Sequence, residues 1–191
     1  MNFLAHLYLS GDNPEVMTGN FIADHVIGKH YDNFSPEIIK GIELHREIDR
    51  FTDSHPIVEE GKKRLRPIYH KYSPVIIDIF YDHFLAANWK DYSPIPLKEY
   101  SEKCYRIVME HDAILPEGIK KMMPYMIDYD WLYNYSNLKG IEKVLTGMSR
   151  RAQFKSNMEL SINDLEKDYD LYREEFRRFF PAIIEHLMER T

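Results

Sequence analysis

An all-α fold is predicted by three observations: apolar residues recur at every third or fourth position along most of the chain, Pro and Gly interrupt it at helix-length intervals, and sustained period-2 alternation is missing. The 191 residues are 44% apolar, 29% charged and 14% aromatic, a composition too rich in Tyr and Phe for disorder. A chain of this length buries roughly 70% of the surface its unfolded form exposes. We therefore expect one helical domain over residues 1–191, built as a bundle on a single core.

The elements follow in order. Ser35-Pro36-Glu37 reads as an N-cap with Pro at the first helical position, opening a helix that carries Ile38, Ile39, Ile42 and Leu44 into His45 and Asp49. His55-Pro56 ends or bends it. Ser73-Pro74 opens the next helix by the same signal, and its Val75, Ile76, Ile79, Phe80, Phe84 and Leu85 make it the expected centre of the bundle. Ser93-Pro94-Ile95-Pro96 closes that region. Helical patterns then cover Leu97 to Met109, Glu117 to Met126 and Leu138 to Phe154, with Pro116, Pro124 and Gly140 as breaks and Asp128-Tyr129-Asp130-Trp131-Leu132 as an aromatic, acidic connector. From Ser161 to Arg190, Leu165, Tyr169, Tyr172, Phe176, Phe179, Ile183 and Leu187 repeat at three or four, which predicts a long C-terminal amphipathic helix that Pro181 could kink.

Several function classes are disfavoured. The lone Cys104 rules out an intramolecular disulfide and a thiolate zinc site, and it has no evident base partner for nucleophilic work. The apolar stretch from Met1 to Leu9 has no basic leader or cleavage-like segment, and the longest apolar run, Val75 to Ala87, is broken by Asp78, Asp82 and His83. No signal peptide and no membrane span are expected, and the cytoplasm is the simplest location. A net charge of −6 disfavours general nucleic-acid binding. No Walker pattern and no G-x-G-x-x-G occurs. The basic clusters Lys62-Lys63-Arg64, Arg150-Arg151 and Arg177-Arg178 read first as solvated faces.

The chemistry concentrates in two stretches. A helix through Gly41 to Pro56 places His45, Asp49 and Asp53 on one face at i, i+4 steps, and the apolar helix after Ser73 carries Asp78 and Asp82 one turn apart beside His83. Taken singly, a helical His is usually structural and an Asp pair usually solvated. Together they ask for a cation, because carboxylates flanked by Ile and Phe suffer desolvation and mutual repulsion unless something positive compensates. Asp24, His45, Asp49, Asp53, Asp78, Asp82 and His83 are the candidate ligands, with His6 as an outer possibility; His25, His30, His70, His111 and His186 lack comparable company. Carboxylate and imidazole without thiolate suit manganese, magnesium, iron or zinc.

Four segments together, Met1-Asn2-Phe3-Leu4-Ala5-His6-Leu7, Gly19-Asn20-Phe21-Ile22-Ala23-Asp24, Leu44 to Pro56 with its Leu-His-Arg-Glu-Ile-Asp-Arg-Phe-Thr-Asp-Ser-His-Pro run, and Phe80-Tyr81-Asp82-His83-Phe84-Leu85-Ala86-Ala87-Asn88-Trp89, resemble the acyl carrier protein phosphodiesterase family. The resemblance spans nearly the whole chain and is looser after Gly140. It implies a helical fold distantly similar to HD-type metal phosphohydrolases and cleavage of 4′-phosphopantetheine from the serine of holo acyl carrier protein, with manganese as the foremost metal. The residues it marks are Asp24, His45, Asp49, Asp53, Asp78, Asp82 and His83. One departure stands out: Asp24 is followed by His25-Val26-Ile27-Gly28-Lys29, where a less polar residue and then Arg are expected.

Within that reading Arg46 is a candidate for stabilising charge at phosphorus, although helical spacing turns it ~100° from His45. Asp82 or His83 could orient the water or protonate the leaving oxygen. Lys62, Lys63 and Arg64, or Arg150 and Arg151, could offer the acidic carrier protein a positive landing surface. Two alternatives stay open: a metal phosphohydrolase of a nucleotide or other small phosphodiester, and a non-catalytic helical binding module.

Overall fold

The computed structural model describes residues 1–26, 28, 31 and 33–190, and among these all regular structure is helical. His30, and Ile27 and Lys29 of the departing stretch after Asp24, lie outside the described residues. Eleven α-helices are seen in that range: α1 (Phe3–Leu9), α2 (Pro14–Ile22), α3 (Pro36–Ser54), α4 (Pro56–Tyr69), α5 (Ser73–Ala87), α6 (Leu97–Glu110), α7 (Glu117–Asp128), α8 (Trp131–Asn134), α9 (Leu138–Arg151), α10 (Ser161–Lys167) and α11 (Tyr169–Met188), with single 3₁₀ turns between several of them. Among the described residues no helix is long and apolar enough to cross a membrane.

The caps explain the boundaries. Asn13 Oδ1 accepts from the amides of Glu15 and Val16 with Pro14 behind it, and Ser35 Oγ accepts from Ile38 N with Pro36 behind it. Ser73 behaves differently from its sequence signal: its hydroxyl donates to His70 O at 2.8 Å instead of capping, because a 3₁₀ turn over His70–Tyr72 feeds directly into α5. Pro124 does not break α7, which runs through it to Asp128. The missing amide hydrogen costs one ladder bond on a helix whose other face is held by buried Ile119, Met123 and Met126. The C-terminal pattern divides at Asp168 into α10 and α11, and α11 continues through Pro181.

Helix α5 is the axis, touched by α1, α4, α9 and α11, with Ile76, Ile77, Ile79, Phe80, Tyr81, Phe84 and Leu85 wholly buried. Its aromatic side meets α11 edge-on: Phe80 and Tyr172 at 5.1 Å between ring centres, Phe84 and Tyr169 at 5.0 Å, Tyr81 and Phe176 at 5.7 Å. On the other side α2 and α3 approach at backbone distance. A β-carbon on Gly19 would stand 2.1 Å from Ile38 O, and one on Gly41 would stand 2.1 Å from Val16 O. Two glycines therefore set the spacing that brings Asn20 of α2 to His45 of α3.

Candidate active site

Three helices converge where α1, α2 and α3 meet. His6 comes from α1, Asn20 from α2, His45 and Asp49 from α3, and they line a cavity of about 190 Å³ with Asp24, Thr52, Asp53, Asp78 and Asn2. The two imidazoles stack with centres 4.1 Å apart. Asn20 holds both: its Oδ1 lies 2.8 Å from His6 Nδ1 and 3.1 Å from His45 Nδ1, while its amide nitrogen donates to His6 O and Ser10 Oγ. His45 Nδ1 is also 2.9 Å from Asn20 O. Since an amide oxygen and a carbonyl can only accept, each Nδ1 carries the hydrogen, which points each Nε2 at the cavity.

What those Nε2 atoms meet is carboxylate. His45 Nε2 lies 3.1 Å from Asp24 Oδ1 and 3.1 Å from Asp49 Oδ2, one turn on along α3. His6 Nε2 is 3.2 Å from Asp49 Oδ1 but makes no hydrogen bond of acceptable geometry. Asp78 Oδ1 is 3.0 Å from the α-amino group of Met1, which also sits 3.9 Å from Asp49. Burial works to lower the His45 pKa, but its bonds to Asp24 and Asp49 prevail and push it up to about 9. Burial works in the opposite sense on Asp49, where His45 and His6 hold the carboxyl well below its ordinary range. His6 is lowered, chiefly by desolvation.

The donor set fits a divalent cation. One ligand atom each from His6, His45 and Asp49 falls within 4.8 Å of the others, and His6 Nε2 and Thr52 Oγ1 are buried without a hydrogen-bond partner. Buried polar atoms normally find partners, so an orphaned imidazole nitrogen facing two carboxylate-lined walls is a lone pair in search of one. Asp24, exposed at the mouth with Oδ1 3.1 Å from His45 Nε2, stands where it could offer a further oxygen.

Most of the other candidates are engaged with partners of their own. Asp82 is fully buried and does not line the cavity; its two oxygens accept from the amides of Asn2, Leu4 and Ala5 at 3.2, 2.7 and 3.3 Å and so cap α1. His83 is 2% exposed, with Nδ1 at 2.8 Å from Tyr135 O and Nε2 at 2.9 Å from Tyr169 Oη, both ring nitrogens engaged in tying α5 to the residue that ends α8 and to α11. Arg46 turns away from the cavity to Tyr31 Oη and to Gly28 O. Asp53 lines the cavity but is paired at 2.7 Å with the buried Lys62. Arg64 is held by Glu175 and lies over the Tyr172 ring, 4.6 Å from its centre. Lys62 and Arg64 thus serve internal pairs, Lys63 is exposed, and Arg150 and Arg151 line a second cleft.

A family model described as acyl carrier protein phosphodiesterase matches residues 1–183. The chain belongs to this family. It is 32% identical over 191 residues to the acyl carrier protein phosphodiesterase of Yersinia enterocolitica, covering all of this chain and 99% of that one. It is 34% identical to the Escherichia coli protein of the same name with both chains wholly covered, and 32% identical to that of Photorhabdus laumondii over 97% of this chain and 94% of the other. No solved structure matches the chain. The family is one of phosphoric diester hydrolases, the enzyme class that the sequence resemblance implied.

One participant escapes a sequence reading. Asn20 carries no ligand signature, and its only trace is an amide inside the buried run Val16 to Ile22. His6, named from the sequence as an outer possibility alone, sits in a seven-residue helix too short for a periodic pattern to orient it.

Proposed function

We propose that the protein hydrolyses the phosphodiester joining 4′-phosphopantetheine to the serine of holo acyl carrier protein, and that a divalent cation, manganese foremost, is held by His6, His45 and Asp49 with Asp24 beside them. Two imidazole nitrogens, turned by one asparagine toward a carboxylate in one cavity, are the observation that supports it. When bound, the cation polarises a phosphoryl oxygen and acidifies the attacking water. The chain's own groups do the rest. Asn20 fixes both rings so that no reorganisation is needed as charge builds on the non-bridging phosphoryl oxygens. Asp24, 74% exposed at the mouth, accepts the proton of the attacking water and returns it to the serine oxygen as the bond to phosphorus breaks. Water is consumed, and apo carrier protein and 4′-phosphopantetheine leave. Arg150 and Arg151, exposed on the neighbouring cleft, offer the acidic carrier protein its positive contact.

Intact-mass measurement tests this. Holo carrier protein incubated with the enzyme and manganese loses the mass of the prosthetic arm, chelation stops the loss, and Asp49→Ala does not support it. Turnover of small phosphodiesters with the carrier protein untouched selects a general phosphohydrolase instead, and no turnover of either, with stability indifferent to chelation, selects a binding module.

A further inference from the structure

A cleft of about 670 Å³ opens beside the metal-type cavity, between α7–α8 on one side and α9 on the other, and Asn2 and Phe3 line both. We infer that this cleft seats the pantetheine portion of the substrate's arm, a reading that rests on the function proposed above and adds the site where the arm lies. The arm is uncharged beyond its phosphate: a geminal dimethyl group, a hydroxyl, two amides and a thiol. Its counterpart must be an apolar trough with a few amide and hydroxyl groups. Met122, Trp131, Val144 and Met148 form such a wall, with Asn134 and Thr146 as the polar contacts.

Gly147 is an independent sign. It lies inside α9, where glycine costs about 1 kcal/mol relative to alanine. Unlike Gly140, whose added β-carbon would meet Asn134 O at 1.9 Å, a β-carbon on Gly147 would touch only the Arg151 guanidinium, at 3.4 Å. No packing demands the glycine. It leaves the cleft wall flat, which is what a chain lying along α9 requires. Arg150 and Arg151 stand at the C-terminal end of the same helix and are in no ion pair among the described residues, in contrast to the committed Lys62 and Arg64. The cation-type cavity thus meets the apolar trough at Asn2 and Phe3, and the two arginines line the trough. A phosphodiester in the first places its pantetheine in the trough.

The chain has two tryptophans, Trp89 buried at 4% and Trp131 in the cleft, so emission reports the trough without label. Pantetheine titrated into the protein shifts the Trp131 emission saturably, and Trp131→Phe removes the signal. Gly147→Leu, which improves helix propensity, fills the trough: it abolishes the shift and raises KM for holo carrier protein about tenfold or more, with hydrolysis of bis(4-nitrophenyl) phosphate and Tm kept. Val144→Phe is the second variant, should the first misfold. No emission change with pantetheine, an unchanged KM in both variants, or equal losses on both substrates overturns the inference. A wild-type protein that binds pantetheine, is blocked by Gly147→Leu, yet never removes the arm keeps the cleft and overturns the proposed reaction.

Discussion

Replacing Asp82 separates a structural carboxylate from a ligand. Its two oxygens satisfy three amides of the first turn of α1, and Asn2 Oδ1 takes that of Phe3, so the buried end of the helix that carries His6 depends on this one side chain. Asp82→Ala leaves three donors without acceptors at ~1–3 kcal/mol each. The Asn2 amide is only part-buried and regains water, so the two buried donors leave about 2–6 kcal/mol, or a Tm lower by roughly 4–24 °C for a chain of this size. Asp82→Asn keeps one accepting oxygen but turns an NH2 toward at least one amide, and costs about 1–3 kcal/mol. Burial pushes the Asp82 carboxyl up from 3.8 to about 7. A folded-state pKa above the unfolded one adds stability that is complete below about pH 4 and lost as pH rises through about 7, so wild type should lose ground to Asp82→Asn across that window. The assays are urea melts across pH and manganese affinity at a temperature where the variants stay folded. An Asp82→Ala protein within about 1 kcal/mol of wild type refutes the capping argument, and loss of manganese binding by folded Asp82→Asn shows the residue to be a ligand instead.

Other outcomes follow from the same geometry. Gly41→Ala drives a β-carbon to 2.1 Å from a carbonyl oxygen on a neighbouring helix backbone; overpacking of this kind costs about 3 kcal/mol or more, and a soluble variant with an unchanged melt would contradict the close crossing of α2 and α3. Asn20→Ala frees both rings, and manganese affinity measured by calorimetry should fall about 10- to 100-fold; an unaltered affinity removes Asn20 from the site. Cys104 is 1% exposed and its thiol is pushed up to about 12 by burial, so Ellman's reagent at pH 8 should label it only on unfolding, and prompt labelling of the native protein would show that α6 opens.

The parts of the fold that depend on local chemistry were legible in the sequence. Ser35-Pro36 and His55-Pro56 mark the start and end of α3, and the one-turn spacing of His45 and Asp49 translates directly into a 3.1 Å contact. The same spacing puts Asp53 on the cavity wall, but its carboxylate also pairs with Lys62 from the next helix, a pairing no period reveals. Asp82 was rightly conspicuous as a charge among Ile and Phe, but its compensation comes from backbone amides 77 to 80 residues away. His83 sits beside it for another reason, since a fully engaged imidazole is how a buried helix grips two neighbours. The division of the C-terminal pattern at Asp168 leaves no mark in periodicity, because α10 and α11 present Leu165 and Tyr172 to one core.

The most direct measurement is a manganese titration of the metal-free protein followed by electron paramagnetic resonance, run beside His6→Ala, His45→Ala and Asp49→Ala. One ion per chain, with binding weakened in every variant and undisturbed in His83→Gln, is the result predicted here. Equal affinity in wild type and all three variants would contradict the claim that α1 and α3 together hold the cation.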